Sequence, residues 1–343
     1  MIKRRLAILF LAFCWGAETR QAVGLDALSI GADALARGGA YLAAEQSNHY
    51  VFQNYAFLGH QPTPRFSLTA FNLISEVGYF AAAYSQPNFS LGFLRLQENG
   101  GELRDSLGNL QGGVISYTDS TFYGAYGWKA GQYSFGLRAK LQNKYFSEVD
   151  VSARGLALDL SGVYQARLYL TVGAELRNLA ATKLLWSNGL EENFGKSLGL
   201  GGIFKAGGPD GYWASLRQPI NIYTDIRAEE TNYLSNTGIE YWPCSYVALR
   251  GGLKQKQNFH PGNNPTLTEF TAGLGFNYAN IYVDYAYNSG TDLAENLTHF
   301  FTVAYRWAEP KTPPEVTSKK PSPPKPPIKY KQTFRSTLGD TEL

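Results

Sequence analysis

The sequence lacks any apolar run of about 18 or more residues, the length a helix needs to cross a bilayer. Helical membrane spans are therefore excluded. Charged residues are sparse, at 17%, the formal net charge is only +3, and the body of the chain has no Lys/Arg cluster with interleaved aromatics. That balance gives no reason to expect a nucleic-acid partner. Cysteines number two. Cys14 sits in a leader-like segment, so the mature chain keeps Cys244 alone, with no intramolecular disulfide and no cysteine-based metal site. The histidines His49, His60, His260 and His299 are far apart, and none stands at metal-ligand spacing from a second His or Cys. They read as loop, lumen or interface residues. No Gly-x-Ser-x-Gly elbow occurs. Gly199, Gly201 and Gly202 suggest a phosphate-cradling turn, but Phe204 replaces its last glycine and no βαβ context surrounds it. No cofactor and no catalytic activity is expected.

What is abundant points elsewhere. Tyr 23, Phe 20 and Trp 6 bring aromatics to 14%, with Gly at 36 in 343 residues. Rings suit a pleated surface, and glycines supply bends and close approaches. The mean hydropathy of −0.25 would read as soluble. Membrane barrels escape that test, because alternate residues face lipid and lumen and the average cancels.

Lys3, Arg4 and Arg5 precede the apolar run 6–13 and the small residues Gly16 and Ala17, the layout of a cleaved secretory signal over 1–17. The residues before Cys14 resemble a lipoprotein box, but Phe13 is too bulky for the position beside that cysteine. From 66 to 307 the chain reads as short alternating segments between turn residues. The clearest is 133–142, where Tyr133, Phe135, Leu137, Ala139 and Leu141 share one face and Ser134, Gly136, Arg138, Lys140 and Gln142 the other. Strands are expected near 66–72, 77–85, 88–97, 117–128, 131–143, 153–165, 168–179, 196–206, 211–219, 234–242, 245–256, 267–277, 280–288 and 297–307. Most have about ten residues, enough to cross a bilayer when tilted, and their number is even, as single-chain bacterial barrels require. The fold class is all-β, a transmembrane antiparallel barrel of about 14 strands.

A soluble β-sandwich would also alternate. Strands of this length and number would need two cores, however, and the polar faces carry both signs of charge in many successive strands. Aromatics gather at strand ends, at Tyr126 and Trp128, Trp186, Tyr241 and Trp242, and Tyr305 and Trp307. Such rings favour the headgroup level. The lumen-lining candidates are Arg138, Lys140, Asp159, Glu175, Arg177, Arg217, Glu240, Arg250, Asp284 and Arg306. They either pair across neighbouring strands or line a selective path; both signs occur together, which favours pairing. Before the barrel, 18–65 holds a small-residue stretch that folds inward as a plug or runs as a periplasmic lead-in. After it, 308–343 carries a Pro/Lys-rich tail, with eight of the 16 prolines from Pro310 onward, which cannot build a core.

Residues 31–44 read Gly-Ala-Asp-Ala-Leu-Ala-Arg-Gly-Gly-Ala-Tyr-Leu-Ala-Ala. This segment resembles the opening signature of the PorV/PorQ family, within the class of FadL-like barrels. The resemblance continues through Asp105 and Gly108, Gly113 to Ser116, Asp119, Asp159 and Leu160, and Arg177 to Leu179. It runs on through Gly238 to Tyr241, Arg250 to Leu253, Asp284 to Ala286 and Leu297 to His299. It implies a fourteen-stranded outer-membrane barrel with an N-terminal plug, whose candidate residues are Gly31, Arg37, Gly38, Gly39 and Asn54. Where the family has Trp-Asn-Pro-Ala-Gly-Leu, this chain has Gln53 to Leu58 without Pro or Gly, which puts that turn in question.

The first functional expectation is a non-enzymatic component of protein secretion or envelope assembly, with secretion-system or other envelope proteins as partners. The second is a FadL-like transporter that releases hydrophobic small molecules sideways through the wall. The third is a structural barrel whose periplasmic cationic tail binds the cell wall or a partner. An apolar pocket opening laterally would favour transport; a lumen filled by paired charges and the plug would favour secretion or structure.

Overall fold

The structure is a computed structural model that describes residues 21–22, 30–73, 77–104, 107, 109–229, 232–258, 266–289 and 299–307. The leader, with Cys14, and the Pro/Lys-rich tail lie outside the described residues, as does His260. The strands are β1 (Gln21–Ala22), β2 (Arg65–Leu73), β3 (Val77–Gln86), β4 (Phe89–Arg104), β5 (Leu110–Ala130) and β6 (Tyr133–Phe146). They continue as β7 (Val151–Arg167), β8 (Leu170–Ala181), β9 (Leu184–Trp186), β10 (Glu191–Phe194), β11 (Ser197–Gly207) and β12 (Ile220–Glu229). The last are β13 (Asn232–Cys244), β14 (Val247–Asn258), β15 (Leu267–Tyr278), β16 (Ile281–Asn288) and β17 (His299–Arg306).

Each long strand pairs antiparallel with the next, β8 pairs with β11, and β17 closes on β2 with Arg306 opposite Arg65. The result is a closed fourteen-stranded barrel from β2–β8 and β11–β17. Closure removes the two edges that an open sheet would leave unpaired. The near end, where β2 begins and β17 ends, has the 208–219 connection at one of its six hairpins and two-residue turns at the other five. Ala279 and Asn280 at one of them both take positive φ, 49° and 70°, the left-handed geometry a two-residue hairpin demands.

The burial pattern is inverted relative to a soluble protein. Along β6, Phe135, Leu137 and Leu141 are 41%, 47% and 43% exposed, whereas Arg138 and Lys140 are each 1% exposed. An aqueous protein would bury the first set and expose the second. Here the outer face is apolar and the inner one polar, so the surrounding solvent is lipid. Exposed rings mark both ends of that face: Tyr126, Trp128, Tyr133, Tyr164, Tyr305 and Trp307 at the near end, and Tyr145, Phe270 and Tyr287 at the far end. From Tyr133 to Tyr145 the strand runs roughly 40 Å at its usual rise, or roughly 30 Å along the axis at a tilt near 40°. That is the thickness of a bilayer's hydrocarbon core.

Three differences from the sequence-based expectation stand out. No strand covers 211–219; that stretch is an exposed connection at the near end, and the strand begins after Pro219 as β12. Strands β4 and β5 run to 16 and 21 residues, beyond the expected ten or so. A hairpin, β9–β10, interrupts the route from β8 to β11; β9 pairs with β7, and Leu184 and Phe194 pack on the inward Ala153 and Ala157.

Candidate functional site in the barrel lumen

The lumen is occupied by residues 30–61. Helix α1 (Ala32–Ala36) packs its alanines against the inward Ala286 and Phe300. Tyr41, Leu42 and Ala43 meet Ile203 and Tyr223. Tyr50, Val51, Phe52, Tyr55, Phe57 and Leu58 build the largest apolar cluster with Tyr79, Leu94, Tyr123 and Val163. The wall is shaped for these contacts by missing side chains. A methyl at Gly173 would overlap the Leu42 carbonyl, and one at Gly252 would overlap the backbone of Arg37 and Gly38. Close backbone approach requires glycine at both positions. The glycines of β11 thus belong to a strand wall, and Gly199 and Gly201 face Leu42.

Buried backbone polar groups of the segment find wall partners, as they must. The Asp225 carboxylate accepts from the N–H groups of Tyr41 and Leu42 at 2.6 and 2.9 Å. Thr302 Oγ1 accepts from Ala32 N–H at 3.0 Å and Thr271 Oγ1 from Gly38 N–H at 2.9 Å. Asn54 caps a short 3-10 helix (Tyr55–His60) by accepting from Ala56 N–H, and its amide donates to the Leu42 carbonyl. The turn in question therefore forms without Pro; asparagine supplies the cap.

The ionisable residues form two buried networks. In the first, Arg138 meets Asp159 at 2.6 Å and Glu175 at 3.3 Å, Lys140 meets Asp159 at 3.2 Å, and Arg177 meets Glu175 at 2.9 Å. Arg138 also donates to the Val51 carbonyl at 2.9 Å, and Arg177 and Arg227 both donate to the Tyr41 hydroxyl. The second network runs Asp33, Arg37, Glu240, Arg250, Asp284, with successive separations of 3.1, 3.2, 2.7 and 2.6 Å. Arg250 reaches Asp284 over Gly275 of the intervening β15, where an added Cβ would lie 2.7 Å from the Arg250 guanidinium and 2.9 Å from the Asp284 carboxylate. Burial raises the Asp33 carboxyl, but the charges of Arg37 and Arg250, joined by that of His49 once it is protonated in acid, more than offset this and hold it below the usual carboxylate value. His49 lies between the wall hydroxyls of Ser67 and Thr69, and burial pushes its pKa down to about 4 against the pull of Asp33. It is neutral at pH 7.

Nine of the ten sequence-predicted lumen residues face inward, with Arg306 lining the near-end mouth. Arg217 does not; it lies exposed on the 208–219 connection, because the strand it was assigned to does not exist. All five predicted segment residues, Gly31, Arg37, Gly38, Gly39 and Asn54, are buried. Sequence reasoning missed Tyr223, Asp225 and Arg227 on β12, whose alternation Asn221, Tyr223, Asp225, Arg227 against Ile222, Thr224 and Ile226 was the available signal.

The wall itself has a mid-height interruption. Between the pairs Leu160 with Leu176 and Leu158 with Ala180, three residues of β8 face one of β7. Asn178 sits there at φ 54°, its N–H donating to Asp159 at 2.7 Å and its amide to the Gly195 carbonyl at 2.6 Å. At the near end a cavity of about 310 Å³ lies beneath Tyr50 and Phe57. Among the described residues no group of three His, Cys, Asp or Glu could hold a metal.

No protein-family profile and no curated protein matches the chain. Solved structures do. The Pseudomonas putida toluene transporter TodX superposes with a TM-score of 0.54 at 14% identity, covering 84% of this chain and 99% of that one. The CymD monoaromatic hydrocarbon channel gives 0.57 at 11% identity, covering 80% and 95%. A Pseudomonas aeruginosa FadL homologue gives 0.51 at 9% identity, covering 85% and 98%. At such identities the likeness establishes the fold: a FadL-like fourteen-stranded barrel.

Proposed function

We propose that this chain is a non-enzymatic outer-membrane channel that passes small hydrophobic molecules and releases them sideways through its wall. The observation that carries the reading is the interruption between β7 and β8, placed mid-wall in a barrel whose straight path is filled by residues 30–61. An apolar solute gains nothing from crossing a lumen of paired charges, but it gains its full transfer free energy on entering lipid. Here Asp159 and Asn178 hold the interruption shut. The fold shared with toluene and monoaromatic hydrocarbon channels supports the same reading. Residues 30–61 act as the plug. Tight turns and both strand-chain ends at the near end support a periplasmic orientation for it, with the Pro/Lys-rich tail on that side.

A second reading, a platform for protein secretion or envelope assembly, is favoured by the filled, charge-paired lumen. Uptake separates the two. Cells that lack their own hydrophobic channel, given this protein, should accumulate labelled toluene several-fold faster than cells with empty vector. In a Cys244→Ser background, an oxidised Leu158→Cys/Ala180→Cys pair bridges opposed positions at the interruption and should abolish the gain until reductant is added. No gain over empty vector overturns the channel reading, and co-purifying envelope proteins would then favour the second.

A further inference from the structure

Arg65, the first residue of β2, and Arg306, the last of β17, stand directly opposite each other in the ladder. Both point into the near-end cavity of about 310 Å³. Like charges directly opposite on neighbouring strands repel, and buried charges are ordinarily paired. The wall cations Arg138, Lys140, Arg177 and Arg250 each have a carboxylate; Arg65 and Arg306 have none within ion-pair distance among the described residues. Their partners are neutral. Arg65 donates to the Ser47 carbonyl and stacks its guanidinium carbon 4.9 Å from the centre of the Tyr50 ring. Its Nε is buried with no hydrogen-bond partner among the described residues. Arg306 donates to Asn48 Oδ1 at 2.9 Å and to the Tyr282 hydroxyl at 3.1 Å. The nearby carboxylates are committed: Asp284 to Arg250 at 2.6 Å, and Glu45, which lines the same cavity, to Lys205 at 2.6 Å and Thr171 at 2.7 Å.

We infer that the near-end cavity is a binding site for a small ring-bearing carboxylate, its anionic end held between Arg65 and Arg306. Guanidinium forks match a carboxylate's two oxygens and strengthen when water is excluded. The cavity is about tenfold the roughly 30 Å³ share of one water, so a bare ion would leave it unfilled. Of its remaining walls, Tyr50, Phe57, Pro62 and Val163 suit a flat apolar body, beside the polar Gln46, His60, Gln165 and Thr171. The site stands apart from the lateral route, because it lies at the mouth beneath the plug and needs no opening of the wall.

The test is isothermal titration of the detergent-solubilised full-length protein with benzoate at low ionic strength, beside benzamide, its neutral isostere. Benzoate should bind one per chain, and benzamide at least tenfold more weakly. Arg65→Gln and Arg306→Gln should each weaken benzoate at least tenfold, while Arg306→Lys, which keeps the charge but loses the fork, should weaken it less than Arg306→Gln does. Equal binding of the two ligands, no binding of benzoate, or indifference to both glutamine variants overturns the assignment. The benzoate and benzamide comparison on the parent protein decides the question even if a variant fails to fold. Hydrocarbon uptake plays no part in this measurement, so the site and the channel reading fail independently.

Discussion

Arg37→Met tests whether ion pairs dock the lumen segment. Arg37 is 1% exposed, bound to Asp33 at 3.1 Å and Glu240 at 3.2 Å, and its guanidinium carbon lies 4.7 Å from the centre of the Tyr223 ring. Methionine keeps much of the volume and removes the charge. Glu240 retains Arg250 at 2.7 Å, whereas Asp33 is left, among the described residues, with the neutral Gln53 amide at 3.1 Å as its hydrogen-bonded side-chain partner. Breaking one partner out of a buried pair costs about 3–5 kcal/mol. At about 1.4 kcal/mol per tenfold, the undocked fraction should rise by roughly two to four powers of ten. Amide hydrogen exchange read by mass spectrometry on residues 30–44 measures it directly. The strands should keep their protection, since the ladder does not depend on Arg37. Arg37→Met with Asp33→Leu removes both charges and should recover most of the loss. Exchange in the single variant within threefold of the parent would show that the network contributes no docking energy.

Gly173→Val should undock the same segment by about 1–3 kcal/mol of overpacking, since its side chain would meet the Leu42 carbonyl. Gly124→Val, with nothing within 4 Å of an added Cβ, should change stability by less than about 0.5 kcal/mol in urea unfolding. Leu137→Arg, at mid-height on the outer face, should cost about 2–4 kcal/mol in lipid vesicles, against about 0–1 for Tyr145→Arg near the interface. Between pH 6.5 and about 4 an undocked His49 binds a proton that the docked one refuses, so the His49 contribution to docking, read as the difference from His49→Gln, should fall with pH through that window and be flat above it. His49→Gln should remove that part of the exchange profile and leave the contribution of Asp33 at lower pH.

The period-two alternation of 133–142 and 168–177 made the barrel legible, because lipid outside and polar groups inside impose opposite chemistry on successive residues. That same rule explains what was hidden. The far ends of β4 and β5 carry Gln97, Glu98, Asn99 and Ser116 beyond the apolar band, where nothing enforces alternation, so their extra length left no pattern. The hairpin strands β9 and β10 have 3 and 4 residues, too few to show a period. The strand expected over 211–219 falls instead on a connection that carries Tyr212 and Trp213, aromatics of the kind that also end strands, and the wall strand is β12. With it went Asp225, the wall residue that holds Tyr41 and Leu42. Pairing of the lumen charges was foreseen from their mixed signs. The segment they bind was foreseen as one of two possibilities, since small residues alone do not say whether a stretch enters a lumen; the run of inward wall glycines facing it was the readable complement.

The central claim is that the two faces of each wall strand meet different media. Single nitroxide labels at successive positions of β6 in a Cys244→Ser background, in lipid vesicles, measure this through relaxation by dissolved oxygen, which partitions into hydrocarbon. Oxygen accessibility should be high at 135, 137, 139 and 141 and low at 134, 136, 138, 140 and 142, a strict period of two. Uniform accessibility along the strand, or high values on the face that carries Arg138 and Lys140, would contradict the account.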